Sequence, residues 1–281
     1  MNKIKQRINS IGKIGRITSA LQIVSLNRIK KIESTTLGCR FYFEKIKEVV
    51  FSIGDNTIYQ SHALLEKRDL KTVGLIVVTS DKGLCGGFNS DIFRKFQEFI
   101  SPLRNVKIKL VCFGRKGIFF FKSENSAELL RSFDSSIKKE PLSNCRDISS
   151  ELADMFINKK IDSLHIIYSK FRMHLLGKVA VEQLLPVGLK KQKKISRVRD
   201  YMYEPCPEVV LDKLFREYLA AQVYQAILES NTAEEMARMF AMKQASDNAK
   251  EVIRKLTLSY HKTRQTVITK EILDIITASN V

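Results

Sequence analysis

The last seventy-odd residues of the chain, from Glu208 to Val281, contain neither glycine nor proline. All five prolines lie earlier, and the last two, Pro205 and Pro207, stand directly before this segment. Glycine and proline interrupt helices most readily, at about 1 and about 3 kcal/mol per interior position. We therefore predict one continuous helix, which at ~1.5 Å per residue would run on the order of 100 Å. A helix of that length cannot be buried within its own chain, so the pattern indicates a projecting structural or mechanical part.

The N-terminal segment carries a helical pattern as well. Its aliphatic residues recur at steps of three or four, a mean spacing typical of left-handed coiled coils, at positions 4, 8, 11, 14, 17, 21 and 24. The C-terminal segment has apolar stripes at Leu211–Leu219, Ala249–Tyr260 and Ile268–Ile276. Two long stripes at opposite ends of one chain most simply pair with each other. We therefore predict an antiparallel coiled coil between residues 1–55 and 208–275.

Between these segments the hydrophobic period changes. Short apolar runs rich in β-branched residues, as in buried parallel strands, occur at Val73–Thr79, Val106–Phe113, Leu164–Tyr168 and Val179–Val187. Amphipathic stretches at Asp91–Ile100 and Asp147–Ile157 separate them. Alternation of strand and helix predicts an α/β layer with a parallel sheet.

The predicted fold class is thus α/β, with a small parallel-sheet domain flanked by two long terminal helices that form an antiparallel coiled coil. The predicted boundaries are residues 1–55 for the N-terminal helix, 70–205 for a Rossmann-like α/β domain, and 208–281 for the C-terminal helix.

The formal net charge of +18 is unevenly distributed. Residues 208–281 hold ten basic and ten acidic side chains, so the excess lies earlier, for example at Lys190–Lys194. A basic chain suits nucleic acid, anionic lipid or an acidic protein surface. Sequence-specific nucleic-acid readers carry a motif besides charge, and since we find none, we predict no nucleic-acid partner.

Several other classes are disfavoured by the sequence. No window of eighteen apolar residues suggests a membrane span, and the basic N-terminus lacks the apolar region of a secretory signal. The five cysteines are scattered, odd in number and never in a CxxC pair. This distribution predicts free thiols in a reducing compartment and neither a disulfide framework nor a zinc site.

One glycine-rich segment, Ser80–Asn89, follows the first predicted strand, where α/β folds hold phosphates. It matches neither GxGxxG nor GxxxxGK[ST], so a tight turn with Ser90 or Asp91 capping the next helix is the simpler interpretation. Cys85 beside Lys82 would need a base to act as a nucleophile, and no histidine forms a partner motif. We predict no catalytic site, cofactor or metal; a nucleotide-dependent enzyme and a nucleic-acid-binding module are the alternatives.

The whole chain resembles one family, the gamma subunit of F-type ATP synthases. The resemblance is carried by four ordered groups of motifs: the opening helix with Arg16–Val24, the glycine loop Thr79–Asn89, the stretch Tyr201–Pro205, and the C-terminal positions Ala237–Met242, Asn248–Ala249 and Arg264–Glu271. The sequence departs from the pattern at Leu21 and Ile23, which replace methionines, and at the tip Thr277–Val281, which replaces a Gly-Ala-rich end.

The resemblance implies a non-catalytic rotor. Its coiled coil would enter a hexamer of alpha and beta subunits, and its foot would stand on the c ring and carry epsilon. Rotation of the c ring, driven by protons or sodium ions, would then be coupled to ATP synthesis or hydrolysis on beta. The implied location is the cytoplasmic face of a bacterial inner membrane, peripheral to the bilayer, because the first helix starts directly at Met1 and the cysteine insertion of chloroplast members is absent.

The resemblance also assigns contact residues by motif. Arg238, Gln265 and Thr269 match positions on the long helix that hydrogen-bond the catch loops of beta. Tyr203 and Glu204 match positions of the foot near the c ring and epsilon. Each is an expectation about a partner contact.

Overall fold

A computed structural model describes residues 2–54, 62–103, 106–124, 127–133, 141–172, 175–188, 204 and 206–279. The helices are α1 (Asn2–Gly54), α2 (Phe88–Ile100), α3 (Arg115–Ser123), α4 (Pro141–Ile157) and α5 (Pro207–Ser279), with a 3-10 turn at Ala63–Leu65. The strands are β1 (Thr72–Val78), β2 (Lys107–Phe113), β3 (Glu128–Phe133), β4 (Ser163–Arg172) and β5 (Leu175–Leu185). The C-terminal segment is thus a single helix of 73 residues, as the absence of glycine and proline predicts.

The strands form one sheet in the order β3-β2-β1-β4-β5. β1 lies in the centre and pairs in parallel with β2 and with β4, and β3 continues the parallel part beyond β2. β5 runs antiparallel to β4, with Tyr168 opposite Ala180. Strands β2 and β3 therefore lie on one side of β1 within the sheet, and β4 and β5 lie on the other side. This is the arrangement of doubly wound nucleotide-binding folds.

Both faces of this sheet are buried, which explains why its central strands are apolar without alternation. On one face, Ile76 and Val111 join a core formed with α1, α4 and α5, in which Phe156 and Phe215 are almost fully buried. On the other face, alternate residues of the same strands pack against α2 and α3 around Phe96.

The chain divides into two compact units, residues 1–27 with 238–281, and residues 28–237. In the second unit, α1 and α5 run antiparallel: Arg28 Nη1 lies 3.1 Å from Glu235 Oε1, and further along α1 the ring of Phe43 meets that of Tyr224 edge-on at 5.9 Å. In the first unit, α1 and α5 also pack together, because a Cβ built on Gly15 would lie 3.4 Å from the Cβ of Ala249.

The structure confirms the α/β class and the paired terminal helices but differs from the sequence prediction in detail. The sheet is mixed, because β5 is antiparallel. Strand β3 was not predicted, since its half-exposed sequence ELLRSF at the sheet edge lacks a continuous apolar run. Helix α3 was also not predicted. Helix α2 starts at Phe88 after Gly87, with no side-chain cap, so the proposed Ser90 or Asp91 cap is wrong; Asp91 lies in the first turn.

Candidate partner-contact site

The glycine loop Ser80–Asn89 is held by its own hydrogen bonds. Asn89 accepts the backbone N–H of Ser80 on Oδ1 at 3.1 Å and donates from Nδ2 to the Ser80 hydroxyl at 2.7 Å. The same hydroxyl donates to the carbonyl of Lys82 at 2.8 Å. Leu84 and Gly86 take positive φ values of 64° and 57°, which make the loop turn sharply. These polar groups therefore stabilise the conformation of the loop itself.

A second glycine turn packs against the start of this loop. The backbone N–H of Gly117 donates to Thr79 Oγ1 at 3.0 Å, and Thr79 donates to the carbonyl of Phe113 at 2.8 Å. A Cβ on Gly114, whose φ is 100°, would overlap the Thr79 carbonyl oxygen. This close packing of backbone against backbone is a structural reason for glycines at these positions.

The Cys85 thiol is only 3% exposed. It lies near the Ser80 hydroxyl at 3.8 Å, the Lys82 carbonyl at 3.9 Å and the Asn89 amide nitrogen at 3.5 Å, which are polar groups but not bases. A thiolate nucleophile needs an adjacent base or cation and access to substrate. The arrangement favours a buried structural thiol. In the described residues no group of three or more His, Cys, Asp or Glu side chains could hold a metal ion.

The contact residues assigned by resemblance lie in very different surroundings on α5. Arg238 is only 6% exposed, whereas Gln265 and Thr269 are exposed. The Thr269 hydroxyl donates to the carbonyl of Gln265 at 2.8 Å within the helix. Gln265 and Thr269 share one helix face, and Arg238 lies twenty-seven positions earlier, which is about 40 Å along the helix axis at ~1.5 Å per residue.

The predicted foot residues are less fully described. Glu204 is exposed, while Tyr203 and the lysine run at 190–194 lie outside the described residues.

The unit formed by residues 1–27 and 238–281 has an exposed apolar surface that the sequence pattern did not predict. The stripe at Ile268–Ile276 was expected to pair with α1, but its described residues Ile268, Ile272, Leu273 and Ile275 are exposed. Large apolar side chains that are 38–68% exposed lie along this end of α5 at Val267, Ile268, Ile272, Leu273 and Ile275. Others of the same unit are 41–60% exposed on α1 at Ile14, Ile17, Ile23, Val24 and Leu26.

The register of the coil explains the exposure at the end of α5. Gly15 faces Ala249, and α1 as described starts thirteen residues before Gly15, at Asn2. In an antiparallel pair, Asn2 therefore lies opposite a position near 262 of α5, so the described part of α1 provides no partner for later residues. Comparing the lengths of the two predicted helices could have revealed this mismatch.

Comparison with known proteins agrees with the fold and extends it. Residues 1–280 match the family described as ATP synthase. The ATP synthase gamma chain of Buchnera aphidicola subsp. Melaphis rhois is 36% identical over 282 residues, covering 99% of this chain and 97% of the relative. That of Legionella pneumophila strain Corby is 35% identical, covering 98% and 96%.

This chain belongs to the ATP synthase gamma chain family. Gamma chains are stalk subunits and are not themselves catalytic, since the catalytic sites lie on beta subunits, so the chain is not an enzyme. A solved structure agrees in fold: a chain of the Euglena gracilis mitochondrial ATP synthase assembly of OSCP, F1 and c ring superposes with a TM-score of 0.69 at 17% identity, covering 99% of this chain and 93% of that one. None of the helices in the described part of the chain is long and apolar enough to cross a membrane.

Proposed function

We propose that this chain is the central-stalk rotor subunit of an F-type ATP synthase. It turns with a c ring and couples ion-driven rotation to ATP synthesis or hydrolysis on beta subunits. The observation that carries the proposal is the apolar surface of the unit formed by residues 1–27 and 238–281. Contiguous exposed apolar surface on a protein marks an interaction site, and here it lies on paired helices of a family whose members are stalk subunits.

The charge of α1 supports an acidic partner surface around the same unit. Its first sixteen residues carry five exposed basic side chains and no acidic one, at Lys3, Lys5, Arg7, Lys13 and Arg16. The first acidic residue of the chain is Glu33. A basic helix with interspersed isoleucines suits a surrounding partner surface that is apolar in part and acidic elsewhere.

Coupling requires that the rotor contact the three beta subunits differently at each angle. A ligand or partner shifts a conformational equilibrium only by its differential interaction free energy with the competing states. Two unlike helices provide such a difference, because the start of α1 carries basic and no acidic side chains, whereas α5 in this unit carries both, for example Glu251 and Lys255. Each orientation would therefore favour a different nucleotide affinity on each beta subunit.

The finer assignments belong to the same proposal. The partners would be the alpha, beta and epsilon subunits and the c ring, with Tyr203 and Glu204 contributing to the foot that meets the c ring and epsilon. The chain would be peripheral to the cytoplasmic face of a bacterial inner membrane. Functionally we divide it into residues 1–55 and 208–281 as shaft helices and 70–205 as the foot domain.

The apolar surface gives the first test. The double variant Ile268→Asp with Ile272→Asp should reduce recovery of the alpha–beta hexamer with this chain at least tenfold. A carboxylate buried against an apolar partner surface is strongly unfavourable. The measurement is subunit stoichiometry after affinity purification of the reconstituted complex. Lys270→Asp is the matched control on the same exposed stretch, and thermal unfolding of the isolated variants should stay near the parental value. Full assembly of the double variant would contradict the proposal that the hexamer binds this apolar surface.

The contact residues give the second test. Gln265→Ala should lower ATP hydrolysis per assembled complex severalfold, since an ordinary hydrogen bond contributes about 0.5–1.5 kcal/mol. Arg238→Ala should act in the same direction, and because Arg238 is buried its effect on unfolding of the isolated chain must be measured alongside. Thr269→Val should have the weakest effect, since its hydroxyl already donates within the helix. Gln244→Ala, at another exposed position of α5, is the control. Parental turnover in all three assembled variants would remove these residues from the coupling site.

A further inference from the structure

Helix α5 contributes to both cores of the 28–237 unit. Buried apolar residues of α5 between Leu211 and Leu228 belong to the core on the α4 face of the sheet. Ala233 instead belongs to the core on the α2–α3 face, together with Cys85 of the glycine loop and Ile167 of β4. Ala237 packs against that same core. The helix therefore passes from one face of the sheet to the other between positions 228 and 233.

This crossing lies near the carboxyl end of β4. Glu229 stands on α5 at the crossing, and its side chain is partly buried. Desolvation by burial raises the pKa of Glu229, while the Gln225 hydrogen bond, the charge of Lys170 and the backbone N–H of Phe171 act in the opposite direction. Lys170 and Phe171 stand close to the end of β4, which runs to Arg172. Their influence on the Glu229 carboxyl group means that α5 meets the sheet at this end of the strand.

Doubly wound domains normally bind their ligands at this edge of the sheet. β1 and β4 are parallel neighbours, and the strand order reverses between them. Ligands of such folds bind outside the carboxyl ends of the strands at this point. In this chain the core there includes Ala233 together with Val77, the residue before the end of β1. A packing contact of α5 thus lies where related architectures hold a ligand.

Two alanines of α5 show how this contact differs from the preceding part of the helix. Ala226 is 3% exposed and lines a cavity of about 200 Å³, whose wall also includes Phe43 of α1 and Tyr168 of β4. Ala233 is 2% exposed and is part of the α2–α3 core. A larger side chain at position 226 has space to enter, whereas one at position 233 would overpack the core and displace α5.

The first helix is attached to α5 at the same level. Arg28 Nη1 lies 3.1 Å from Glu235 Oε1, and the Glu235 side chain is only 9% exposed. Arg28 and Ala237 are also the first and last residues of the 28–237 unit. The crossing therefore lies at the end of this unit, and α5 continues from it without interruption to Ser279.

We propose that Ala233 and Ala237 form a joint that fixes α5 to the α/β domain against twisting. The inference rests on the rotor function proposed above, because a rotor must pass torque from its foot into its shaft helix. Covalent continuity alone leaves a helix free to turn about its axis on the domain that it crosses. Dense packing prevents this turning, since closely packed interiors deform little and transmit strain.

The proposal is tested by the angular fluctuations of a gold nanorod attached to the c ring of the reconstituted complex. The alpha–beta hexamer is fixed to a surface and ATP is withheld, so the mean-square angle of the rod is inversely proportional to the torsional stiffness of the rotor. Ala233→Leu should raise this mean-square angle about twofold or more, because overpacking displaces α5 from the sheet. Ala226→Leu adds the same group next to the cavity and should leave the angle at the parental value. Ala233→Val makes a smaller change of the same kind and replaces the leucine variant if that variant does not assemble.

Subunit stoichiometry and thermal unfolding first establish that each variant is folded and assembled. Parental fluctuations in the assembled Ala233 variants, or equal increases in Ala226→Leu and Ala233→Leu, overturn the proposal. Failure of the rotor function has a different signature, since the rod on the parental complex would then not rotate when ATP is supplied. Rotation of the parental complex with unchanged fluctuations in the variants would leave the rotor function intact and exclude the joint.

Discussion

The two units of the molecule differ in how much of their apolar surface they bury. In the 28–237 unit, large aromatic and aliphatic side chains fill the space on both faces of the sheet. In the other unit, the buried residues of the described chain are mostly small or polar, namely Thr18, Ser25, Arg238, Met242, Ser246 and Ala249. Many of its isoleucines and leucines lie at the surface, and others, such as Ile8 and Leu256, are only half-buried.

This difference indicates which unit depends on partner subunits for its stability. A sheet covered on both faces by helices gains stability from its own apolar burial. In the other unit the most buried side chains are mostly small or polar, so contact between the two helices buries less apolar area, and long helices depend on tertiary packing for their stability. We infer that the 28–237 unit is folded in the isolated chain and that the coiled coil of residues 1–27 and 238–281 becomes rigid on assembly.

The largest expected effect separates the two units directly. Phe156→Ala removes a ring that is 0% exposed in the 28–237 core and should lower the free energy of unfolding by about 3–5 kcal/mol. Ile272→Ala removes a side chain that is 51% exposed and should change it by less than about 0.5 kcal/mol. Urea unfolding of the isolated chain, followed by near-ultraviolet circular dichroism, measures both. Similar losses in the two variants would contradict the comparison.

The same contrast decides what the sequence could predict. The long helix and the central strands were predictable, because the missing helix breakers of 208–281 and the apolar run at Val73–Thr79 are strong local signals. Edge strand β3 carries a half-exposed sequence, and the direction of β5 depends on tertiary pairing, so neither follows from a local pattern. An apolar stripe has the same appearance whether a helix of the same chain or another subunit covers it. The pattern therefore could not show that α1 leaves Ile268, Ile272, Leu273 and Ile275 exposed.

The coiled coil itself provides an intermediate effect. Ala249 is buried, and its Cβ would lie 3.4 Å from a Cβ on Gly15, so a side chain as large as leucine at position 249 would have to displace the other helix. Ala249→Leu should therefore destabilise the pairing by about 1–3 kcal/mol, the usual range for overpacking. Amide hydrogen exchange of α1 residues near Gly15 in the isolated chain should accelerate roughly 5- to 150-fold, as that free energy implies.

Lys250→Leu is the control for this variant, because it adds a leucine at the neighbouring exposed position of α5. Exchange near Gly15 should match the parental chain there. If Ala249→Leu also left the exchange unchanged, the two helices would not pair at this register in the isolated chain, and their contact would form only with partners present.

The smallest expected effect concerns two carboxylates, one in each unit. Burial raises the pKa of Glu229 in the 28–237 unit, whereas a hydrogen bond and the charge of Lys255 lower the pKa of the exposed Glu251 in the other. A raised pKa means that the folded chain binds the proton more tightly than the unfolded chain, so ionisation of Glu229 opposes folding as the pH rises from its ordinary pKa through the raised value. At pH values above that window, Glu229→Gln should thus raise the melting temperature slightly, and this gain should vanish as the pH falls below the window.

Glu251→Gln should instead lower the melting temperature, because a lowered pKa means that the ionised carboxylate stabilises the folded chain at pH values above its ordinary pKa. Solvent screening makes this loss smaller than the gain expected for Glu229→Gln. Thermal unfolding of both variants and the parental chain across acid to neutral pH measures the difference. A common pH dependence in the two variants would mean that Glu229 is as well solvated as a surface carboxylate, and the core of the 28–237 unit would then be open to water at that point.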